Sequence, residues 1–442
     1  MAAQALSPLL LWERVEESAD EAEFLWGLWE RALRSETYNL RKVTSFSEDR
    51  LLGALDGLRA GGEAAYDRVL FPALASEEPQ RICAAACVLA QDASPQGIDA
   101  LAAHWQGAKG PVLSSLRRGV ELVATPALLA ELSLRLRGAA PPAQAALLET
   151  YAFAGVDPGV LSHQAAVSED PLLLRAHLRV AARLPQLADE AAIRQSLAAK
   201  DPLLVEAAMT AGLVVGLPAA LSRLRAQLEP LAAAHSPLLS LLASIGDAGD
   251  RAAVMALLSR PALRKGAVVA LGFCGTKEAA EACVELMRSG VVPRLAADSF
   301  CTITGLDLHE QKLIEPEPDS EPVPFEQDDL DQDLSLQEEE MLPLPRSAGV
   351  IAWWDSHRDE FLAGRRYLAG QPISQAVLWQ SLTDGPMRRR PPLALELAIR
   401  TQGQWLQTTA FAFTQWRQLQ QLLTLPGDAL SRSPLRSQLS AL

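Results

Sequence analysis

The chain has 442 residues, 49% of them hydrophobic, and a formal net charge of −14, so it can bury a sizeable core in two or three domains. Ala and Leu dominate, only 5% of residues are aromatic and β-branched residues are sparse, which points to an all-α fold. The acidic balance argues against a nucleic-acid partner, which needs basic surface to release counterions, and against an anionic membrane.

The N-terminus carries one short apolar run, Leu9 to Trp12, with Glu13, Arg14 and Glu16 close behind. It has no basic leader, and no apolar stretch is long enough to cross a bilayer, so the expectation is a soluble, cytoplasmic protein. Residues 1–62 are predicted to be an N-terminal helical cap. Glu16 to Arg34 places Phe24, Leu25, Leu28, Trp29 and Leu33 on one side of a helix and acids on the other. Trp26 either points outward or packs against a second helix at Asp49–Leu58.

Residues 63–312 are predicted to be a repeat array. Prolines precede apolar stretches at positions 79, 111, 142, 171, 202, 237, 261 and 293, with spacings of 32, 31, 29, 31, 35, 24 and 32 residues. Proline suits the first turn of a helix, where its missing N–H would have no partner, and Asp170, Asp201 and Ser236 stand where a cap belongs. After Pro171, the spacing of Leu174, Leu178 and Ala181 predicts a helix that ends at Pro185, and a second follows from about Asp189 to Ala199. Such a pair cannot bury its own apolar face, but stacked neighbours can. The 24-residue spacing before Pro261 leaves one helix pair in question. Five scattered cysteines read as reduced and buried, with Cys83 and Cys87 as small residues at a helix contact.

The segment Pro237 to Leu258, with Ser-Ile-Gly-Asp-Ala-Gly-Asp-Arg-Ala-Ala-Val, resembles a HEAT-like repeat of the short, bilin-lyase type. So does Pro261 to Met287, with Leu-Arg-Lys-Gly-Ala-Val-Val-Ala-Leu-Gly and a turn at Gly275. This resemblance covers residues 63–305 and implies an α-solenoid of HEAT-like helix pairs.

Residues 313–346 are predicted to be an acidic, Pro-rich linker: Glu315 to Glu340 holds twelve acids, four prolines and no base, too charged to offset the entropy of ordering. Residues 347–442 are predicted to be a small C-terminal helical domain with five of the nine tryptophans. From residue 346 onward eleven arginines stand against six acids, a net charge of +5, which suggests that the linker docks on this domain. The order of helix array, acidic Leu-Pro-Leu-Pro linker, Trp-Trp helix and Gly-Arg-x-Tyr turn is similar to a proteobacterial family encoded beside type VI secretion effectors and their accessory proteins.

Catalytic signatures are missing: there is no G-x-G-x-x-G, Walker A, H-E-x-x-H or G-x-S-x-G. His309-Glu310 is the one His-Glu pair of the kind that builds di-iron centres in some HEAT-like enzymes. Asp329, Asp331, Asp333 and Glu340 approximate a calcium loop whose required glycine is Leu334. No catalytic residue, metal or cofactor is therefore assigned. The candidate partner-binding residues are Trp353, Trp354, Arg365 and Tyr367, with Arg388, Arg389 and Arg390 on a loop before Pro391-Pro392. Protein binding by a scaffold, adaptor or chaperone is the favoured function, with a secreted effector or secretion component as the partner the resemblance implies. The alternative is an enzyme or ligand-binding protein on the same scaffold, bilin-lyase-like or glycosylase-like.

Overall fold

A computed structural model describes residues 12–316, 339–426 and 428–441. Most of the acidic linker, with Asp329, Asp331 and Asp333 of the calcium-like pattern, lies outside them, and so does the expected docking of that linker. The fold is all-α and solenoid-like, with neighbouring helices packing in succession. None of the described helices is long and apolar enough to cross a membrane.

The chain forms two compact units. The first comprises Met1–Leu221, Pro386–Arg388 and Leu397–Pro434; the second comprises Ser222–Gly385, Arg389–Glu396 and Leu435–Leu442. Boundaries expected at residues 62, 312 and 346 do not coincide with this division, and residues 347–442 are shared between the units.

In the first unit the helices are α1 (Trp12–Ala32), α2 (Leu40–Val43), α3 (Asp49–Ala60), α4 (Phe71–Leu74), α5 (Pro79–Asp92), α6 (Pro95–Gly107), α7 (Gly110–Glu121), α8 (Pro126–Arg135), α9 (Pro141–Ala154), α10 (Val160–Ala166), α11 (Pro171–Arg183), α12 (Glu190–Leu197) and α13 (Pro202–Val215). The division falls within α14 (Pro218–Arg225). Helices α1, α5, α7, α9, α11 and α13 pack side by side in that order; α3, α6, α8, α10 and α12 lie against them as a second row. Proline opens most helices of the main row, and polar side chains cap several starts. Asp170 accepts from the Leu172 and Leu173 amides, and Asp201 from those of Leu203 and Leu204, each such cap contributing about 1 kcal/mol.

Spacing within the array follows the apolar pattern. Leu178 and Ala181 are fully buried on α11, and Ile193 and Leu197 are buried on α12. Cys83 and Cys87 are buried on α5 where α7 crosses. A Cβ at Gly119 of α7 would stand 2.3 Å from the Cys83 carbonyl oxygen, so only glycine permits this approach. On α1 the structure corrects the expected face. Trp26 is buried edge-on to Trp29, and Phe24 is exposed, because the inward stripe runs through Ala22, Leu25, Trp26 and Trp29.

The second unit contains α15 (Leu228–Ala233), α16 (Pro237–Ile245), α17 (Ala248–Ala256), α18 (Pro261–Cys274), α19 (Lys277–Arg288), α20 (Pro293–Thr304), α21 (Ser347–His357), a two-stranded hairpin of β1 (Tyr367–Leu368) and β2 (Gln371–Pro372), and α22 (Gln375–Asp384). Helices α16, α18 and α20 pack in succession. The irregular spacings have a physical origin: the 24-residue interval holds a complete but short pair, α16 and α17, each of nine residues. The 35-residue interval before it holds the extra short helix α15. The remaining helices, α23 (Arg390–Arg400) and α24 (Ala412–Leu423), contribute to both units and to the first unit respectively.

Candidate functional site

The residues singled out near the C-terminus act mainly as anchors. In the second unit, Trp354 is buried edge-on against Phe300 with ring centres 5.5 Å apart, and Phe361 tilts against it at 5.3 Å. Trp353 is half-buried, also edge-on to Phe300, and stacks on His357 at 4.1 Å. Tyr367 is buried; its amide donates to the Gly275 carbonyl at 2.7 Å, and its hydroxyl accepts from the Leu362 amide at 2.9 Å. The amides of Ala369 and Gly370 donate to Thr302 and Ile303.

These bonds supply partners for carbonyls at the carboxyl ends of α18 and α20, which have none within their own helices. Gly275 and Gly305 terminate the two helices in the left-handed conformation, with φ of +67° and +73°. A Cβ at Gly275 would lie 2.4 Å from the Tyr367 carbonyl oxygen. Glycine thus both ends the helix and admits the hairpin.

Within the Gly-Arg-Arg-Tyr turn, Arg365 is exposed, and the residue the pattern left open, Arg366, carries the structure. Its guanidinium donates to both carboxylate oxygens of Glu396 at 2.9 and 2.8 Å, with side-chain exposures of 4% and 0%.

Arg388, Arg389 and Arg390 do not form an exposed loop cluster, which corrects the sequence expectation. Met387–Arg389 is a 3-10 turn and Arg390 opens α23. In the first unit the Arg388 amide donates to the Ser35 carbonyl. In the second, Arg389 lies 3.7 Å from the Asp298 carboxylate, and Arg390 is fully buried, its Nε donating to the Leu382 carbonyl at 2.7 Å. Burial pushes the Arg390 guanidinium down to about 10.

In the first unit, residues 405–412 meet helices of the main row. Trp405 Nε1 donates to the Ala182 carbonyl at 2.8 Å, near the end of α11, and the Arg183 guanidinium lies over the Trp405 ring. Arg118 Nη2 donates to the Thr409 carbonyl at 2.7 Å. Arg118 also belongs to a ladder of ion pairs that runs across the row, from Glu30 through Arg118, Glu121, Arg117 and Glu149 to Arg179. Phe411 leans on Trp29 at 5.0 Å. Beneath them the buried Glu48 carboxylate accepts from Trp29 Nε1 at 2.9 Å and from the Ala412 amide at 2.7 Å. Phe411 offers α24 no side-chain cap, so Glu48 serves as that cap from 364 residues away. Burial nonetheless pushes its carboxyl up to about 7, against the pull of the two N–H donors.

Outside this anchor lies a surface the sequence reading missed. A π-helical turn at Thr44–Glu48 follows α2, and such turns recur at functional sites. It turns Ser47 and Glu48 inward and leaves Phe46 61% exposed. On α24, Ala412, Gln415, Leu419 and Leu422 are buried, so Phe413 and Arg417 share the exposed face, with Phe413 64% exposed. Helices α2 and α24 touch, and the Arg41 guanidinium lies 5.4 Å above the half-buried Trp416 ring. Arg417 lies 5.8 Å above Phe413, and Tyr38 stands 6.0 Å from Phe46. Exposed Phe46 and Phe413 thus stand on neighbouring elements, the π-helical turn and α24, and Arg41, Lys42 and Arg417 are exposed on α2 and α24. A signal existed in the pair Phe413 and Arg417 at helical spacing, but the meeting of α2 with α24 is long-range.

Thiol and cavity chemistry offers little by comparison. The five cysteines are buried and unpaired, and burial pushes the thiols of Cys83, Cys87, Cys274 and Cys301 up to about 12 and that of Cys283 up as well. Among the described residues no three His, Cys, Asp or Glu side chains are grouped to hold a metal ion. An internal cavity between Leu136, Leu148, Leu161 and Leu173 measures about 50 Å³, room for one or two waters. No protein-family model matches the chain, and neither does any curated protein or solved structure.

Proposed function

We propose that this chain is a protein-binding scaffold or adaptor and that its partner sits on the aromatic surface formed by α2, the π-helical turn and α24. One observation carries the reading: Phe46 and Phe413 are more than half exposed on neighbouring elements, beside Trp416 and two arginines. Aromatic residues and arginine are the types enriched where proteins bind each other, and a few of them supply most of the binding energy. The resemblance of the helix array, acidic linker and Trp-Trp helix to proteins encoded beside type VI secretion effectors makes a secreted effector, or a component that handles one, the specific partner of this reading.

Affinity capture from the source cell tests it. The unmodified chain is expected to retain a partner in near-stoichiometric amount, and Phe46→Ser with Phe413→Ser is expected to lose it while leaving the unfolding midpoint nearly unchanged. Equal recovery by both chains would place the interaction elsewhere.

A further inference from the structure

The seven-residue helix α10, in the second row of the first unit, is loosely held. Ser162 and Ala165 are its buried residues, Leu161 is half-buried, and Val160 and Val167 at its two ends are 68% and 81% exposed. Leu161, Gln164 and Ala165 line the cavity of about 50 Å³ together with Leu147 and Leu148 of α9 and Leu173 of α11, so α10 does not close fully on its neighbours. The segment that leads into it starts and ends on glycines of positive φ, Gly155 at +67° and Gly159 at +58°. Few buried contacts and such a lead-in mark a segment that opens locally at low cost.

A buried polar contact ties α10 to α11. Ser162 Oγ and His177 Nδ1 lie 2.9 Å apart, and both residues are 2% exposed. The spacing is that of a nucleophile and its base, but no substrate reaches side chains so deeply covered. Nε2 of His177 is buried and bonds to no protein atom. A neutral imidazole tolerates this, whereas an imidazolium would bury a charge and leave one of its two N–H donors unmet. Burial holds the imidazole below its ordinary value of 6.5; Asp189, at the start of α12, favours the charged form, and His163 on α10 opposes it. Glu149 of α9 and Glu206 of α13 act instead on Arg179, two residues along α11 and so on its other side.

We propose that α10 is an acid-released lid, hinged at Gly155 and Gly159 and held shut by the Ser162–His177 contact. Lifting it brings the imidazole to water, where it takes up a proton, and uncovers Leu148 and Leu173 beneath. The closed form resists that proton and the open form accepts it. The open form therefore gains on the closed one as pH falls below 6.5, by up to about tenfold per unit, and above 6.5 the lid is insensitive to pH. The device is independent of the aromatic surface on α2 and α24.

Hydrogen exchange of the full chain between about pH 7.5 and about pH 5, corrected for the intrinsic pH dependence of amide exchange, tests it. Protection at residues 160–167 is expected to fall by about tenfold over that range while that of α9 and α13 holds. His177→Gln is expected to abolish the fall, and His163→Gln to leave it unchanged. Should His177→Gln fail to fold, the comparison of α10 with α9 and α13 in the unmodified chain decides. Constant protection of α10, or a loss shared equally by α9 and α13, overturns the lid. A fall that persists in a folded His177→Gln chain, or one that vanishes in His163→Gln, overturns His177 as its sensor.

Discussion

Replacing Glu396 by Ala should destabilise the second unit by about 3–5 kcal/mol, the range found when one partner of a buried ion pair is removed. Arg366 would be left as a buried cation that already lacks a hydrogen bond at Nε. The hairpin Tyr367–Pro372 would lose the side chain that holds it to α23, and with it the amides that meet Gly275 and Thr302. Urea unfolding followed by circular dichroism, with hydrogen exchange at residues 365–372, reads the loss. The paired change Glu396→Leu with Arg366→Met should recover most of it, since a buried ion pair is often no more stabilising than well-packed apolar side chains. A loss below about 1 kcal/mol in the single variant would mean that the hairpin does not depend on this pair.

The second large effect is a pH dependence at Glu48. Its carboxyl sits near 7 in the fold against an ordinary value of 4.5, so between those values the folded chain binds a proton that the unfolded chain has released. Stability from this group is therefore fully present below about 4.5 and is lost as pH rises through 7, a change of about 3 kcal/mol over the whole range. Other carboxylates titrate in the same window, so the informative quantity is the difference between the unmodified chain and Glu48→Gln, which cannot ionise. That difference should fall steadily from pH 4 to pH 8, the glutamine variant gaining on the unmodified chain. Parallel stability curves would show that Glu48 titrates normally in the fold.

Both effects depend on contacts that sequence patterns do not carry. The repeat was legible because its signals are local: proline at the first helical position, a polar residue before it, and apolar residues three and four apart, as in Asp201-Pro202-Leu203-Leu204-Val205. Even the departures from period had local causes, a short helix pair after Pro237 and an extra helix before it. The C-terminal residues were noticed for their chemistry, but their roles lie in partners far away along the chain. Trp405 bonds a carbonyl 223 residues upstream, and Ala412 bonds a carboxylate 364 upstream. The arginine triplet shows the limit most clearly. Adjacent letters suggested one cationic cluster, but a 3-10 turn that runs into a helix sends Arg389 to Asp298 and buries Arg390. Phe46 escaped notice because a π-helical turn shifts the helical register and brings out a residue that α-helical spacing does not single out.

Where the partner sits is best measured by hydrogen exchange of the full chain with and without the protein it captures. New protection is expected at residues 38–46 and 412–421, with little change on the second row of helices, α8 and α10. Protection confined to those helices or to the acidic face of α1, with none at α2 and α24, would contradict the central claim that this aromatic surface is the binding site.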